Sequence, residues 1–168
     1  HAIEARRAIV ASHPGTPEAE QYAAELEGLL IQRSEIMLES ARARVEQNPT
    51  DLQSRFELGE ILHSLHMYQE AIPELQRARQ NPNVRIRAIS LLGQCFTARS
   101  MLDLAAKTLS DAATELVAMD NVKKDIVYNL GLVYEKMNLT DNAIACMKQI
   151  YEVDYGYRDV AARVEGSY

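Results

Sequence analysis

Leu92-Gly93-Gln94-Cys95-Phe96-Thr97-Ala98-Arg99-Ser100-Met101-Leu102-Asp103-Leu104-Ala105 is the stretch on which the fold turns. A Leu-Gly pair is followed, twelve residues after the glycine, by an alanine. The same arrangement stands at Leu58-Gly59 with Ala71 and at Leu130-Gly131 with Ala143. The glycine-to-glycine spacings are 34 and 38. A recurrence within about 20–50 residues marks stacked supersecondary units rather than a catalytic domain.

Working outward from each glycine, Leu62, Phe96 and Tyr134 lie three residues after it, and Arg55, Ile89 and Val127 four before it. With the leucines they form one helical stripe. Glycine in that stripe costs helix stability, so its recurrence predicts a neighbouring helix in close approach. A second stripe follows each alanine: Leu75, Leu109 and Met147 at four residues, then Ala78, Ala112 and Ile150 at seven. Between the stripes, His66-Met67, Ser100-Met101 and Asn138-Leu139 suit tight turns. Asn tolerates the left-handed backbone more readily than His or Ser. Each unit therefore reads as helix A, turn, helix B.

Asn48-Pro49 and Asn81-Pro82 mark unit boundaries, because proline disfavours helix in the residue before it. The third boundary, around Met119-Asp120-Asn121, has no proline and carries the extra residues of the longer spacing, which a longer helix B would absorb. Pro73 falls beyond the first turn of its helix B and predicts a bend or a late helix start.

Residues 1–50 are less regular. A helix runs from His1 to about Ser12, and His13-Pro14-Gly15 breaks it. Thr16 is placed to cap the next helix, with Pro17 at its first position. Residues 17–47 admit two readings. One is a degenerate helix pair turning near Gln32–Ser34; the other is a single helix of about 31 residues, roughly 46 Å long. The pair is preferred, because a stacked array needs cover for its first regular unit. At the other end, Tyr157 to Val164 reads as a short capping helix.

These residues resemble the tetratricopeptide repeat: an aromatic, then Leu-Gly, then Tyr, then Ala, an aromatic or apolar residue, Ala and a late Pro. The likeness covers residues 52–153, as units 52–85, 86–123 and 124–153, and Val153–Val160 looks like the closing segment of bacterial arrays of the family. Arg55 departs from it, as do His66, Ser100 and Asn138, which replace the turn glycine. The resemblance implies an all-α fold, a single domain over 1–168. Its architecture would be an α-solenoid of antiparallel helix pairs, a right-handed superhelix with a C-terminal capping helix. It also implies a concave groove, lined by the A helices, that holds a partner's peptide or helix.

Composition agrees with the fold. Ala, Leu, Glu, Arg and Gln, all good helix formers, dominate a chain with 7 Gly and 5 Pro. A net charge of −6 with no Lys/Arg block argues against nucleic acid. No apolar run approaches the roughly 18–20 residues of a membrane span. No signal peptide is visible, and the opening His1 suggests a fragment of a longer protein or a processed chain. Cys95 and Cys146 are too few for a disulfide framework and read as buried free thiols, which favours a cytoplasmic setting.

A separate stripe on the A helices carries Gln53, Phe56, Glu60 and His63, then Arg87, Ser90, Gln94 and Thr97, then Asp125, Tyr128, Leu132 and Glu135. Such a mixed face suits helix or peptide docking. The candidate partner-binding residues are Phe56, Glu60, His63, Arg87, Gln94, Tyr128, Leu132 and Glu135. Phe56, Tyr128 and Leu132 equally suit plain packing between helices. A subset of the family grips a peptide's terminal carboxylate with Lys and Asn. Phe56, Glu60, Arg87 and Leu91 stand at those positions, and Arg87 alone suits the task. Glu60, His63 and His66 recur at spacing three, but His66 is rotated away at the turn, so neither metal nor cofactor is expected. No phosphate loop, nucleophile elbow or HExxH motif is present, and Asp103, Asp120 and Asp141 read as caps or surface charges, not as acids and bases. The function expected is a non-catalytic interaction module or scaffold for a protein partner. The alternatives are a spacer that self-associates into a homo-oligomer through residues 17–47, and a regulatory domain of a larger enzyme.

Overall fold

The computed structural model describes residues 2–12 and 15–168. His1, His13 and Pro14, and with them most of the expected break, lie outside the described residues; Gly15 carries a left-handed φ of 83°. Where the sequence suggests one domain, the chain has two compact units, residues 1–48 and 49–168. They divide at the Asn48-Pro49 boundary.

In the first unit α1 (Ala2–Ser12) pairs with α2 (Pro17–Gln47). Thr16 caps α2, its hydroxyl accepting from the Ala19 amide at 3.2 Å, and Pro17 opens the helix. The Arg6 guanidinium reaches Glu25 at 3.0 Å, tying the two helices. Residues 17–47 form one unbroken helix, so the preferred degenerate pair is not formed. The physical reason is local. Nothing between Gly28 and Gln47 supplies a left-handed residue or removes an amide donor. Ser34, at the expected turn, donates its hydroxyl back to the Leu30 carbonyl at 2.9 Å without ending the helix.

The second unit is an array of antiparallel pairs. It runs α3 (Leu52–Ser64), α4 (Tyr68–Ala78), α5 (Arg85–Ala98), α6 (Leu102–Glu115), α7 (Asn121–Lys136), α8 (Thr140–Tyr151) and α9 (Val160–Glu165). Each helix from α3 to α9 packs on the next, and α3 also meets α5, as α5 meets α7, so the A helices form a row. Asp51 caps α3 by accepting from the Gln53 and Ser54 amides, and Asp120 caps α7 by accepting from Lys123. α4 ends seven residues after Ala71 and α6 ten after Ala105, which places most of the extra length of the second unit in helix B.

All three A-to-B turns adopt one geometry. His66, Ser100 and Asn138 have φ of 60°, 59° and 60°. The amides that follow them, those of Met67, Met101 and Leu139, donate to the carbonyls of Leu62, Phe96 and Tyr134 at 2.9, 2.8 and 2.9 Å. These are helix C-caps of the Schellman type, formed here without glycine. The late start expected at Pro73 does not occur: α4 begins at Tyr68 and runs through it. Pro73 and Gln69 are both exposed, so the carbonyl that loses its amide partner faces water.

The close approach at the glycines is also present. A Cβ on Gly59 would lie 2.7 Å from Leu75 Cγ, one on Gly93 2.6 Å from Leu109 Cγ, and one on Gly131 2.6 Å from Met147 Cε. The first stripe thus packs on the second within each unit, and Leu62, Leu75, Leu92, Leu109, Val127 and Met147 are fully buried. Arg55 sits in that stripe, 6% exposed. Its guanidinium reaches Glu74 of α4 at 2.7 Å and donates to the Pro49 carbonyl at 2.8 Å, which satisfies a charge where the other units carry Ile89 and Val127.

Candidate interaction surface

The row of α3, α5 and α7 presents the mixed polar stripe of each A helix along one face. Arg87 and Glu135 are exposed; Glu60, His63, Gln94 and Leu132 are half-buried. Arg87 bridges two helices, its guanidinium 2.6 Å from the Glu60 carboxylate of α3. His63 packs edge-on against Tyr68, with ring centres 5.6 Å apart. Burial pushes its imidazole below the usual value, opposed by a hydrogen bond with Gln94.

Phe56 and Tyr128 do not line this face as free anchors. Phe56 is 1% exposed, and the Arg87 guanidinium lies over its ring at 4.8 Å. Tyr128 is buried beneath the C-terminal segment. Its hydroxyl donates to Asp159 at 2.8 Å, and Arg158 lies over its ring at 4.5 Å. Both aromatics are therefore packing residues, the second of the two roles open to them.

The C-terminal segment supplies surface residues that the sequence reading missed. Arg158 pairs with Asp125 at 2.5 Å, and Arg163 pairs with Glu135. A signal existed: Arg158 follows Tyr128 by 30 residues, as Arg87 follows Phe56 by 31. The segment from Arg158 to Arg163 takes the place of a further A helix over α7.

Two hollows open along the row. One, about 280 Å³, lies between α5 and α7 against Ile86, Arg87, Ser90, Val122, Asp125 and Ile126. The other, about 220 Å³, is bounded by Gln94, Thr97, Asn129, Leu132 and Lys136. On another side of α5, a broader groove of about 780 Å³ is floored by Ile89, Leu92 and Phe96 and walled by Ile72, Met101 and Leu104.

His66 Nδ1 bonds the Tyr68 hydroxyl at 2.7 Å. Among the described residues, no three His, Cys, Asp or Glu side chains converge on a metal-binding geometry. Cys95 and Cys146 are buried free thiols, both pushed up to about 11 by burial. A thiol so displaced is a poor nucleophile at neutral pH. Among the described residues, no helix is long and apolar enough to cross a membrane.

The sequence profile of the tetratricopeptide repeat matches residues 125–157. Residues 125–157 are a tetratricopeptide repeat. The matched segment holds α8, all but the first turn of α7, and the start of the C-terminal segment; the two preceding units share its Leu-Gly-to-Ala geometry. Solved structures agree with the fold. A crystal structure of MamA superposes with a TM-score of 0.71 at 18% identity, covering 85% of this chain and 81% of that one. MamA from Desulfovibrio magneticus RS-1, residue 41 to the end, gives 0.66 at 16%, covering 92% and 96%. A thermophilic tetratricopeptide-repeat protein from Thermus thermophilus gives 0.62 at 19%, covering 98% and 88%. No curated protein matches the chain.

Proposed function

We propose that this chain is a non-catalytic, cytoplasmic interaction module of tetratricopeptide repeats whose row of A helices receives a peptide or helix from a partner protein. The observation that carries this reading is the division of labour on the A helices. One stripe is spent on the core through its glycines. The other holds Glu60, His63, Arg87, Gln94, Leu132 and Glu135 at a shared register with their tips accessible, beside two hollows. Polar groups around small apolar recesses suit peptide recognition, in which anchors give affinity and the polar rim sets register.

Self-association through α2 draws less support. Ile31, Ile36 and Met37 are exposed there. At about 100° per residue, however, they stand on three different sides of the helix, so they do not compose one docking stripe.

The test is affinity capture from the native host, followed by calorimetry with the partner identified. Alanine at Glu60, Arg87, Gln94 and Glu135 together weakens binding by about tenfold or more, as loss of a central contact set does, with the fold intact by circular dichroism. Unchanged affinity rejects the surface.

A further inference from the structure

Phe56, Ser90 and Tyr128 occupy the same position, three residues before their glycines. At two of the three units the position holds an aromatic ring with an arginine over it: Arg87 over Phe56 and Arg158 over Tyr128. The middle unit has a hydroxymethyl group there instead. Arg87 stands six residues before Gly93, and the same position before Gly131 is Asp125, so the covering cation is missing as well. Part of the lost volume is recovered across the row. Ala88 and Ile126 stand five residues before their glycines, so the third unit sets a large residue beside the serine where the second has a small one at the same position. Compensation is incomplete, because the hollow of about 280 Å³ lies against Ser90 and Ile126.

We propose that this hollow takes one aromatic side chain from the partner, which completes in trans the ring that the other two units carry in cis. This rests on the reading of the A-helix row as the binding face and names the chemistry of its anchor. The walls fit a ring: Ile86, Val122 and Ile126 are apolar, and Val122 is 47% exposed with room to be covered. Arg87, whose guanidinium already covers Phe56, lines the hollow too and presents a cation to a second ring. The hollow of about 280 Å³ has room for a ring, since a cavity of roughly 150 Å³ holds benzene, and it falls below the roughly 300–1,000 Å³ of sites for drug-sized ligands. A well-packed aromatic in a desolvated recess is the usual hot spot of a protein interface.

The experiment needs no partner. Isotope-labelled full chain is titrated with N-acetyl-tyrosinamide and, separately, N-acetyl-leucinamide, and amide shifts are followed by NMR. The tyrosine amide moves Ile86, Ser90, Val122 and Ile126 saturably, and the leucine amide binds more weakly. S90F, which installs the ring that the neighbouring units use, abolishes the shifts. V122E, at an exposed wall that the core does not need, does the same by another route. Equal response to both amides, absence of localised shifts, or shifts that persist in both variants overturns the proposal. Movement of the same residues on simple dilution also overturns it, because the occupant is then a second copy of the chain. The broader reading fails separately: it is lost when alanine substitution along the row leaves partner affinity unchanged, whatever the amides do.

Discussion

A methyl group on Gly93 would lie 2.6 Å from both Cγ and Cδ2 of Leu109, well inside contact distance. This one approach explains why the Leu-Gly pair and the residue sixteen positions later recur together. The B helix presses its branched side chain against bare backbone of the A helix. Two of the three sites repeat this with leucine, and the third uses methionine.

Replacing Gly93 by alanine sets a helix-propensity gain of about 0.5–1 kcal/mol against an overpacking cost of about 1–3 kcal/mol. At Gly93 the obstructing atoms include the branch point Cγ, so overpacking prevails and G93A loses about 1–2 kcal/mol. At Gly131 the nearest atom is the Met147 terminal methyl, which can swing away, although Cys146 Cβ at 3.3 Å must also yield slightly. G131A therefore stays within about 1 kcal/mol of wild type. Urea midpoints of the two variants give the comparison, and equal losses would show that the flexible methionine does not matter.

Ser100 holds a left-handed φ of 59° with no side-chain advantage over glycine in the turn. S100G should stabilise the fold by about 1 kcal/mol, the cost of that conformation for an L-residue. His66 is a weaker case, because its ring bonds the Tyr68 hydroxyl at 2.7 Å, and that contact is lost in H66G. Thermal denaturation should rank S100G above H66G; the reverse order would mean that the turn strain is not what limits stability.

Arg55 and Glu74 form an ion pair in which the arginine is nearly buried, with side-chain exposures of 7% and 20%. Removing one partner leaves the other covered and uncompensated, so R55A costs about 2–4 kcal/mol. The neighbouring units carry Ile89 and Val127 at this position and Thr108 and Cys146 opposite. R55I combined with E74T should then recover most of the loss. A double variant as unstable as R55A would show that the pair supplies something that apolar packing does not.

His63 titrates below its ordinary value of 6.5 because it is partly buried on the A-helix row. On acidification the unfolded chain takes the proton first. The stability held by the neutral ring is therefore fully present above about pH 6.5 and is lost as pH falls through the lower folded value. H63Q should show a shallower decline in urea midpoint between about pH 7 and pH 5 than wild type. Parallel profiles would remove His63 from the acid response.

The array was legible because packing in this fold is periodic. Gly59, Gly93 and Gly131 each meet a B-helix side chain at bare backbone, and the turns after them need one left-handed residue, so spacing exposes both. The single helix over residues 17–47 was not legible, because Leu, Glu, Arg and Ala favour helix without saying where it stops. The candidate surface was half legible. The polar stripe could be read, but the burial of Phe56 and Tyr128 depends on Arg87 and Arg158 about thirty residues away, folding over rings that no local pattern marks as covered. The hollow at Ser90 was less visible still, since it arises from a difference among three equivalent positions and from the size of the residue opposite.

The most direct test of the binding face is an NMR footprint of the identified partner peptide on the isotope-labelled chain. The account predicts shifts centred on Glu60, His63, Arg87, Gln94 and Leu132 along α3, α5 and α7. A footprint centred instead on Ile72, Met101 and Leu104, in the groove between α4 and α6, would contradict it.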